Sequence, residues 1–279
     1  LALRLWLCIS WIHLSFATHA SAATPSDTRT SGNAYLPPQL QALQNDSNKN
    51  PITLWLDRGT SLWQSQCQSC HAGMDTLKRS AGSFPRLAPG GNTLRNIEDQ
   101  IAICRQRSSA AKPLIPANAN STVTMASVES LTKAASPLAN DHEDVLALSA
   151  ALHQVAQGER INVAASRGQD APWQARLQSG QQLYQTRMGR INLACMHCHE
   201  QKVGAQMRAD VISQGHTTGF PIYRMSWQTL GSTERRLRAC YSGVQAALPP
   251  PGSADLRDLE LFMKVRVNGM VLDGPSIRR

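Results

Sequence analysis

The sequence of 279 residues predicts a mainly α-helical protein built from two related domains. Three observations predict it. A CxxCH motif occurs twice, a Leu-Glu-(Ile/Leu)-Cys pattern with helical spacing follows each motif, and each half closes with an apolar-periodic helix that ends at a glycine. Because these elements recur in the same order, we interpret the chain as an internal duplication. The length agrees, since one domain typically needs ~100–200 residues.

The first repeated element is a short helix that leads into the CxxCH motif. Residues 59–64 carry a glycine, a leucine and an aromatic residue before the motif at 67–71. Residues 180–185 carry the same residue types before the motif at 195–199. The shared composition predicts equivalent helices at these two places.

The second repeated element is a pattern of four residues at positions 0, 4, 7 and 10. Its members are Leu94, Glu98, Ile101 and Cys104 in the first half and Leu230, Glu234, Leu237 and Cys240 in the second. Residues three and four apart lie on one face of a helix. The pattern therefore predicts a helix that leads into a single cysteine in each half.

The third element is the closing helix, predicted at 144–158 and again at 255–269. Each begins with an acidic residue and stops at a glycine, which are the usual helix start and stop signals. The polar, turn-rich stretch 166–172 lies between the halves. It divides the chain into an N-terminal domain, 24–165, and a C-terminal domain, 166–279.

The first 23 residues predict a cleaved secretory signal. An apolar run from Leu5 to Phe16 is followed by the small-x-small sequence at 20–22, and no later stretch is long enough to span a bilayer. We therefore expect export to the periplasm and no membrane-embedded part. Residues 24–50, rich in Ser, Thr, Asn and Pro, predict an extended arm. The net charge of +9 favours acidic partners, but basic and aromatic residues do not interleave as in nucleic-acid-binding chains.

Each CxxCH motif predicts covalent attachment of haem c, because two thiols bond to the vinyl groups and the adjacent histidine ligates iron. The predicted attachment residues are Cys67, Cys70, Cys195 and Cys198, with His71 and His199 as axial ligands. A zinc site would need further ligand pairs, and a dithiol redox site would not explain the histidines.

The second axial ligand of each iron is less directly predicted. Methionine or histidine is usual, but Met125 in the first half has no equivalent among Met225, Met263 and Met270 in the second. The repeat instead places one cysteine in each half, which favours Cys104 and Cys240 as thiolate ligands. A disulfide between these two cysteines and methionine ligation are the alternatives.

Three arginines precede the second of these cysteines. They are Arg235, Arg236 and Arg238, and Arg236 lies one helical turn before Cys240. Guanidinium groups stabilise a thiolate and bind small dianions in a bidentate manner. The arrangement predicts an anion site beside Cys240.

The chain resembles SoxA, the A subunit of the SoxAX cytochrome of periplasmic sulfur oxidation. In the C-terminal half the similar segments are 190–195, 212–216, 219–224, 235–240 and the closing helix around 259–261. The N-terminal half is similar more loosely, through its CxxCH motif, residues 103–105 and the helix that ends at Gly158. The resemblance covers nearly all of the chain after the signal, apart from 108–140.

This resemblance implies two class I cytochrome c-like domains with His/Cys ligation of both irons. It implies an L-cysteine S-thiosulfotransferase, with Cys240 as the catalytic residue and Arg236 and Arg266 as contacts to thiosulfate. The implied partners are a SoxX-like monohaem cytochrome, a SoxYZ-like sulfur carrier and an electron-accepting cytochrome c. Gln245 departs from the family, where an arginine is expected.

Two other functions are compatible with the same residues. A dihaem thiosulfate dehydrogenase, which joins two thiosulfates into tetrathionate, would use similar ligands and the same substrate. A plain electron-transfer cytochrome would need neither the arginines nor Cys240. The dehydrogenase predicts activity without a protein acceptor, and the electron carrier predicts a methionine-ligated iron.

Overall fold

A computed structural model describes residues 27–111, 141–163 and 171–279 of the chain, without the side chains of 108–111. The predicted signal at 1–23, most of the stretch 108–140 and most of the boundary 166–172 lie outside the described residues. Within the described ranges, no helix is both long and apolar enough to cross a membrane.

Helices dominate the described part, with short strands between them. The elements of the first half are α1 (Pro38–Asn45), α2 (Ile52–Leu62), α3 (Lys78–Ala81), β1 (Arg86–Leu87), β2 (Leu94–Arg95), α4 (Ile97–Ala111) and α5 (Glu143–Val155). Those of the second half are α6 (Ala171–Gln185), α7 (Cys195–His199), β3 (Gln206–Met207), β4 (Asp210–Val211), β5 (Ile222–Arg224), β6 (Thr229–Gly231), α8 (Thr233–Gly243), α9 (Ala254–Arg266) and β7 (Ser276–Arg278).

The predicted four-residue pattern spans a strand and a helix. Leu94 lies in β2 and Leu230 in β6, and both are buried. The remaining three members of each pattern lie in α4 or α8. The leucine therefore belongs to the strand before the helix, because a short connection turns the chain between them.

A glycine lies where each long helix pair crosses. Gly59 of α2 lies against the carbonyl of Ala147 in α5, and Gly180 of α6 lies against the carbonyl of Asp258 in α9. A Cβ at either glycine would overlap with the facing backbone. These glycines, which sequence analysis noted only as part of a repeated segment, allow the helices before each CxxCH motif to pack closely.

Both predicted closing helices are present, but each ends three residues before the predicted glycine. Helix α5 ends at Val155 and α9 at Arg266, and the following Gly158 and Gly269 have φ values of +85° and +84°. This left-handed conformation favours glycine over other residues, so each glycine lets the chain turn shortly after the helix end.

The two halves share one apolar core. Trp63 and Leu148 of the first half belong to the same cluster as Trp173, Leu261 and Leu272 of the second. A second cluster forms around Tyr184, Leu237 and Leu259. The largest core therefore needs side chains from both halves of the chain.

Buried charged groups also join the halves. Arg257 of α9 donates to Asp99 of α4 at 2.8 Å and to Glu234 of α8. The Asn96 amide donates to Glu260 of α9 at 3.0 Å. These contacts link α4, α8 and α9, which carry or flank both single cysteines.

The segment predicted as an extended arm is partly helical. Residues Pro38–Asn45 form α1 because a proline occupies the first helical position and Leu40 and Leu43 pack on an apolar cluster. Before it, the Arg29 guanidinium donates to the carbonyl of Asn268 at 2.9 Å. The prediction was therefore wrong for α1, whereas residues before it lie along the second half.

Candidate functional site

The first CxxCH motif borders a cavity of about 480 Å³. Cys67 ends the π-helical turn that follows α2, and both Cys67 and His71 line the cavity together with Cys104. Most other lining residues are apolar: Trp63, Leu77, Phe84, Leu87, Ile97, Ile101, Leu148 and Leu152. An apolar cavity with thiols and an imidazole at its wall fits a haem c, which needs apolar surroundings and these donor atoms.

The sulfur of Cys104 accepts a hydrogen bond from a neutral side chain. The Gln100 amide, one turn earlier on α4, donates to it at 3.3 Å. Burial raises the pKa of the Cys67 thiol in the same cavity. The contact to the Cys104 sulfur is therefore neutral, and the cavity around it is largely apolar.

In the second half, the backbone fixes the orientation of His199. Its Nδ1 lies 2.8 Å from the carbonyl of Ser213, an acceptor, so Nδ1 carries the proton and Nε2 is left to bind a metal. Gly215, with φ +70°, lets the loop approach, since a Cβ there would lie 2.9 Å from the His199 ring. This arrangement suits an axial haem ligand.

Cys240 lies in α8, which begins where Ser232 Oγ accepts a hydrogen bond from Arg235 N at 3.1 Å. Burial raises the pKa of the Cys240 thiol, but Arg236, a hydrogen-bonding contact with His199 and the charge of Arg224 together lower it below its usual value. In contrast, burial raises the pKa of Cys195 to about 12. The surroundings of Cys240 thus favour the thiolate.

Cys104 and Cys240 lie in different sites. Cys104 lines the cavity of the first motif, whereas Cys240 contacts His199 of the second. Both are free thiols, so the disulfide considered from the sequence does not form in this structure. Of the alternative methionine ligands, Met263 is buried in the second apolar cluster, and Met125 lies outside the described residues.

Arg236 and Arg224 lie near Cys240, since the charge of each lowers the pKa of its thiol, and Arg278 lies near these two arginines. Burial lowers the pKa of both Arg224 and Arg278, and the positive charge of Arg236 lowers both further. The pKa of Arg278 falls to about 10. Arg224 lies opposite Arg278 in the parallel pairing of β5 with β7. Asp273 raises the pKa of Arg278, and Asp210 raises that of both Arg224 and Arg278, but neither acid forms an ion pair with these arginines within the described residues. The cluster therefore has an excess of positive charge that suits an anion.

The other predicted arginines have different surroundings. Arg238 donates to the carbonyl of Pro249 at 3.2 Å, and Arg235 lies over the Trp227 ring at 4.6 Å. Arg266 donates to the carbonyl of Gln214 at 3.2 Å and lies 4.7 Å from the centre of the Tyr184 ring. Arg236 is thus the member of the arginine run that acts on the Cys240 thiol.

Sequence reasoning missed Arg224 and Arg278 as members of this cluster. Arg224 ends one of the segments that resemble SoxA, so its position had a signal that was not used. Arg278 had none, because only the pairing of β7 with β5 brings it next to Arg224.

Comparison with known proteins first defines the class. Residues 54–161 match the family described as SoxA/TsdA, cytochrome c domain. This part of the chain is accordingly similar to a cytochrome c domain, and a cytochrome c domain implies covalently bound haem c.

More particular matches follow. The chain is 29% identical over 263 residues to the L-cysteine S-thiosulfotransferase subunit SoxA of Pseudaminobacter salicylatoxidans, covering 91% of this chain and 82% of that protein. It is 27% identical to the subunit of the same name from Paracoccus pantotrophus, covering 94% and 83%. The crystal structure of SoxXA from P. pantotrophus matches with a TM-score of 0.71 and 25% identity, covering 90% of this chain and 87% of that chain. The resemblance to SoxA predicted from the sequence is confirmed.

Proposed function

We propose that this chain is the catalytic subunit of an L-cysteine S-thiosulfotransferase, which conjugates thiosulfate to a cysteine thiol of a SoxYZ-like carrier protein. A sulfur–sulfur bond forms between the outer sulfur of thiosulfate and the carrier thiol. One proton and two electrons are released, and the electrons pass to an acceptor cytochrome c. The observation that carries this proposal is the pair of Arg236 and Arg224 near Cys240, whose charges both lower the pKa of its thiol. The names of the SoxA relatives also support it.

We propose two covalent haems, one in each of two duplicated class I cytochrome c-like domains. His71 and Cys104 would hold the first iron, and His199 and Cys240 the second. When bound, haem c supplies one-electron redox chemistry. The parallel placement of the crossing glycines, the CxxCH motifs and the single cysteines supports the duplication.

The roles of the two sites would differ because one residue differs at matching positions. Gln100 precedes Cys104 by four residues, and Arg236 precedes Cys240 by four residues. A neutral amide next to the first sulfur offers little to a dianion, whereas a guanidinium offers a charge-assisted contact. We therefore assign catalysis to Cys240 alone.

Substrate binding would involve more arginines than the sequence suggested. Thiosulfate carries two negative charges, and Arg236 has no ion-pair partner among the described residues. We propose that Arg236 binds thiosulfate and that Arg224 and Arg278 add to the positive potential around it. Arg266, the other contact implied by the SoxA resemblance, already has carbonyl and aromatic partners, so we expect its contribution to be smaller.

The proposed partners follow from the relatives. One similar solved structure is SoxXA from P. pantotrophus, which supports a SoxX-like monohaem cytochrome as the partner in a heterodimer. The predicted signal at 1–23 supports export to the periplasm, where a carrier and an electron acceptor would be met.

The test is to incubate the protein and its SoxX-like partner with thiosulfate and an oxidised cytochrome c, with and without a carrier that has an exposed cysteine. We expect the carrier to gain the mass of a thiosulfonate group, and cytochrome c to be reduced only when the carrier is present. Tetrathionate formed without the carrier would support the dehydrogenase instead.

A second comparison separates an enzyme from an electron carrier. Cys240→Met should abolish conjugation in a folded protein, and Cys104→Met should reduce it far less. Conjugation by Cys240→Met at the wild-type rate would exclude a catalytic role for Cys240.

A further inference from the structure

Two arginines face each other at the edge of the first cavity. Arg86 of β1 and Arg95 of β2 are direct partners in the antiparallel pairing of these strands, and both line the cavity that contains Cys67, His71 and Cys104. Among the described residues that line it, they are the only arginine, lysine or carboxylate side chains. Like charges directly opposite each other on a strand pair are unfavourable unless an anion balances them.

The structure gives Arg86 few partners of its own. The Nη2 atom of Arg86 donates to Ser83 Oγ at 2.8 Å, and the guanidinium carbon lies 4.0 Å from the centre of the Phe84 ring. Its Nε, however, is buried and has no hydrogen-bond acceptor in the described part of the chain. Burial alone lowers the pKa of Arg86, with no nearby acid to offset it. A buried donor without an acceptor is costly, so this geometry favours an anionic ligand.

The second half lacks this pair at the matching place. Leu94 corresponds to Leu230, which makes Gly231 the equivalent of Arg95. The strand partner of Gly231 is Ile222, just as the partner of Arg95 is Arg86. The arginine pair is thus specific to the first cavity and not a general feature of the repeated fold.

We propose that Arg86 and Arg95 bind the two propionate carboxylates of the haem c in the first cavity. A propionate is the anionic part of an otherwise apolar group, and this cavity is apolar apart from a few polar groups and these two arginines. A guanidinium matches a carboxylate through paired N–H groups. The proposal rests on haem attachment at the first CxxCH motif, which lies inside the matched cytochrome c domain, and not on the thiosulfotransferase activity.

The arginines would set the charge around the first iron. With both guanidinium groups in place, the propionates stay ionised and their charge is balanced. Without them, the negative charge of a propionate in an apolar site is unbalanced. This charge stabilises the oxidised iron, and the pKa of the propionate carboxyl rises. The midpoint potential of that haem then falls and depends on pH.

The experiment compares the full-length holoprotein with Arg86→Gln, Arg95→Gln and the double variant. Arg79→Gln is the control, because Arg79 is an exposed arginine of the same half. Redox titrations followed by visible spectroscopy across pH, and resonance Raman spectra of the propionate bending modes, are the measurements. The covalent thioether bonds keep the haem in place even if the arginines are lost.

In each Gln variant we expect the midpoint potential of one haem component to fall and to become dependent on pH. The change should be largest in the double variant. The propionate bands of that component should shift, whereas any other component and the Arg79→Gln protein should match the wild type. Arg86→Lys should preserve most of the wild-type potential, because the charge is kept. Unchanged potentials and propionate bands in the double variant would overturn the proposal. So would an equal shift in the Arg79→Gln control.

Discussion

Gly180 of α6 packs directly against the backbone carbonyl of Asp258 in α9, with no space for a side chain. Gly59 has the same relationship to Ala147 in the first half. Each contact lies on the helix that leads into a CxxCH motif. The positions of the cysteines in both CxxCH motifs therefore depend on these two helix crossings.

Replacing Gly180 with alanine should destabilise the protein. The new methyl group must push the α9 backbone away, and overpacking of this kind costs ~1–3 kcal/mol. The gain in helix propensity, ~0.5–1 kcal/mol, offsets only part of this cost. Urea denaturation measures the change. Gly243→Ala is the matched control, because no heavy atom lies within 4 Å of a Cβ there, and it should be neutral or slightly stabilising. Equal effects of both substitutions would contradict the crossing argument.

Arg236→Ala should weaken thiosulfate binding by roughly 10- to 150-fold, because a charge-assisted contact contributes ~1.5–3 kcal/mol. The measurement is the dependence of the conjugation rate on thiosulfate concentration. Arg238→Ala removes the same charge from the same helix, but Arg238 contacts the Pro249 carbonyl, so its effect should be small. A larger loss from Arg238→Ala would place the anion elsewhere.

Two haems should be attached, and each should depend on its own motif. Because thioether bonds survive denaturation, intact mass after unfolding should show two haem additions on the exported protein. Replacing both Cys67 and Cys70 with alanine should remove one of them, and the corresponding change at Cys195 and Cys198 should remove the other. A wild-type mass with a single haem would refute the second site.

Glu98→Gln should change how stability depends on pH. Burial raises the pKa of Glu98 from 4.5 to about 7, although Ser149 donates to it at 2.8 Å. The folded protein then binds more protons than the unfolded chain, so this stabilisation is complete below pH 4.5 and is lost as pH rises through 7.

The variant removes that loss. Its free energy of unfolding relative to the wild type should rise between about pH 4.5 and pH 8, by at most ~3 kcal/mol. Thermal or urea unfolding at several pH values provides the measurement. Glu143→Gln, at an exposed acid of the same half, should follow the wild-type curve. A wild-type pH profile for Glu98→Gln would mean that the pKa of Glu98 does not differ between the folded and unfolded states.

Local patterns predicted the elements around the site better than their long-range contacts. Helical spacing predicted the helices that carry Cys104 and Cys240, and helix start and stop signals predicted the closing helices, because these signals lie within a few residues of each other. Sequence analysis recorded Glu98 and Glu234 only as repeat positions. Their buried partners, Ser149 and Arg257, come from other helices, and no local signal indicates such pairs.

The arginine clusters show the same limit. Arg236 was predictable, since one helical turn separates it from Cys240. Arg278 reaches the same region only through the pairing of β7 with β5, and Arg86 meets Arg95 only through the pairing of β1 with β2. Strand register across a turn or a long connection is not encoded in a short pattern, so these residues required the structure.

The shared core has a consequence for cooperativity. Because Trp63 and Leu148 pack in one cluster with Trp173 and Leu261, neither half can unfold without exposing apolar surface of the other. The molecule should therefore melt in a single transition, although its sequence repeats. Damage at one of the two proposed haem sites would therefore lower the stability of the other, even where no electron passes between them.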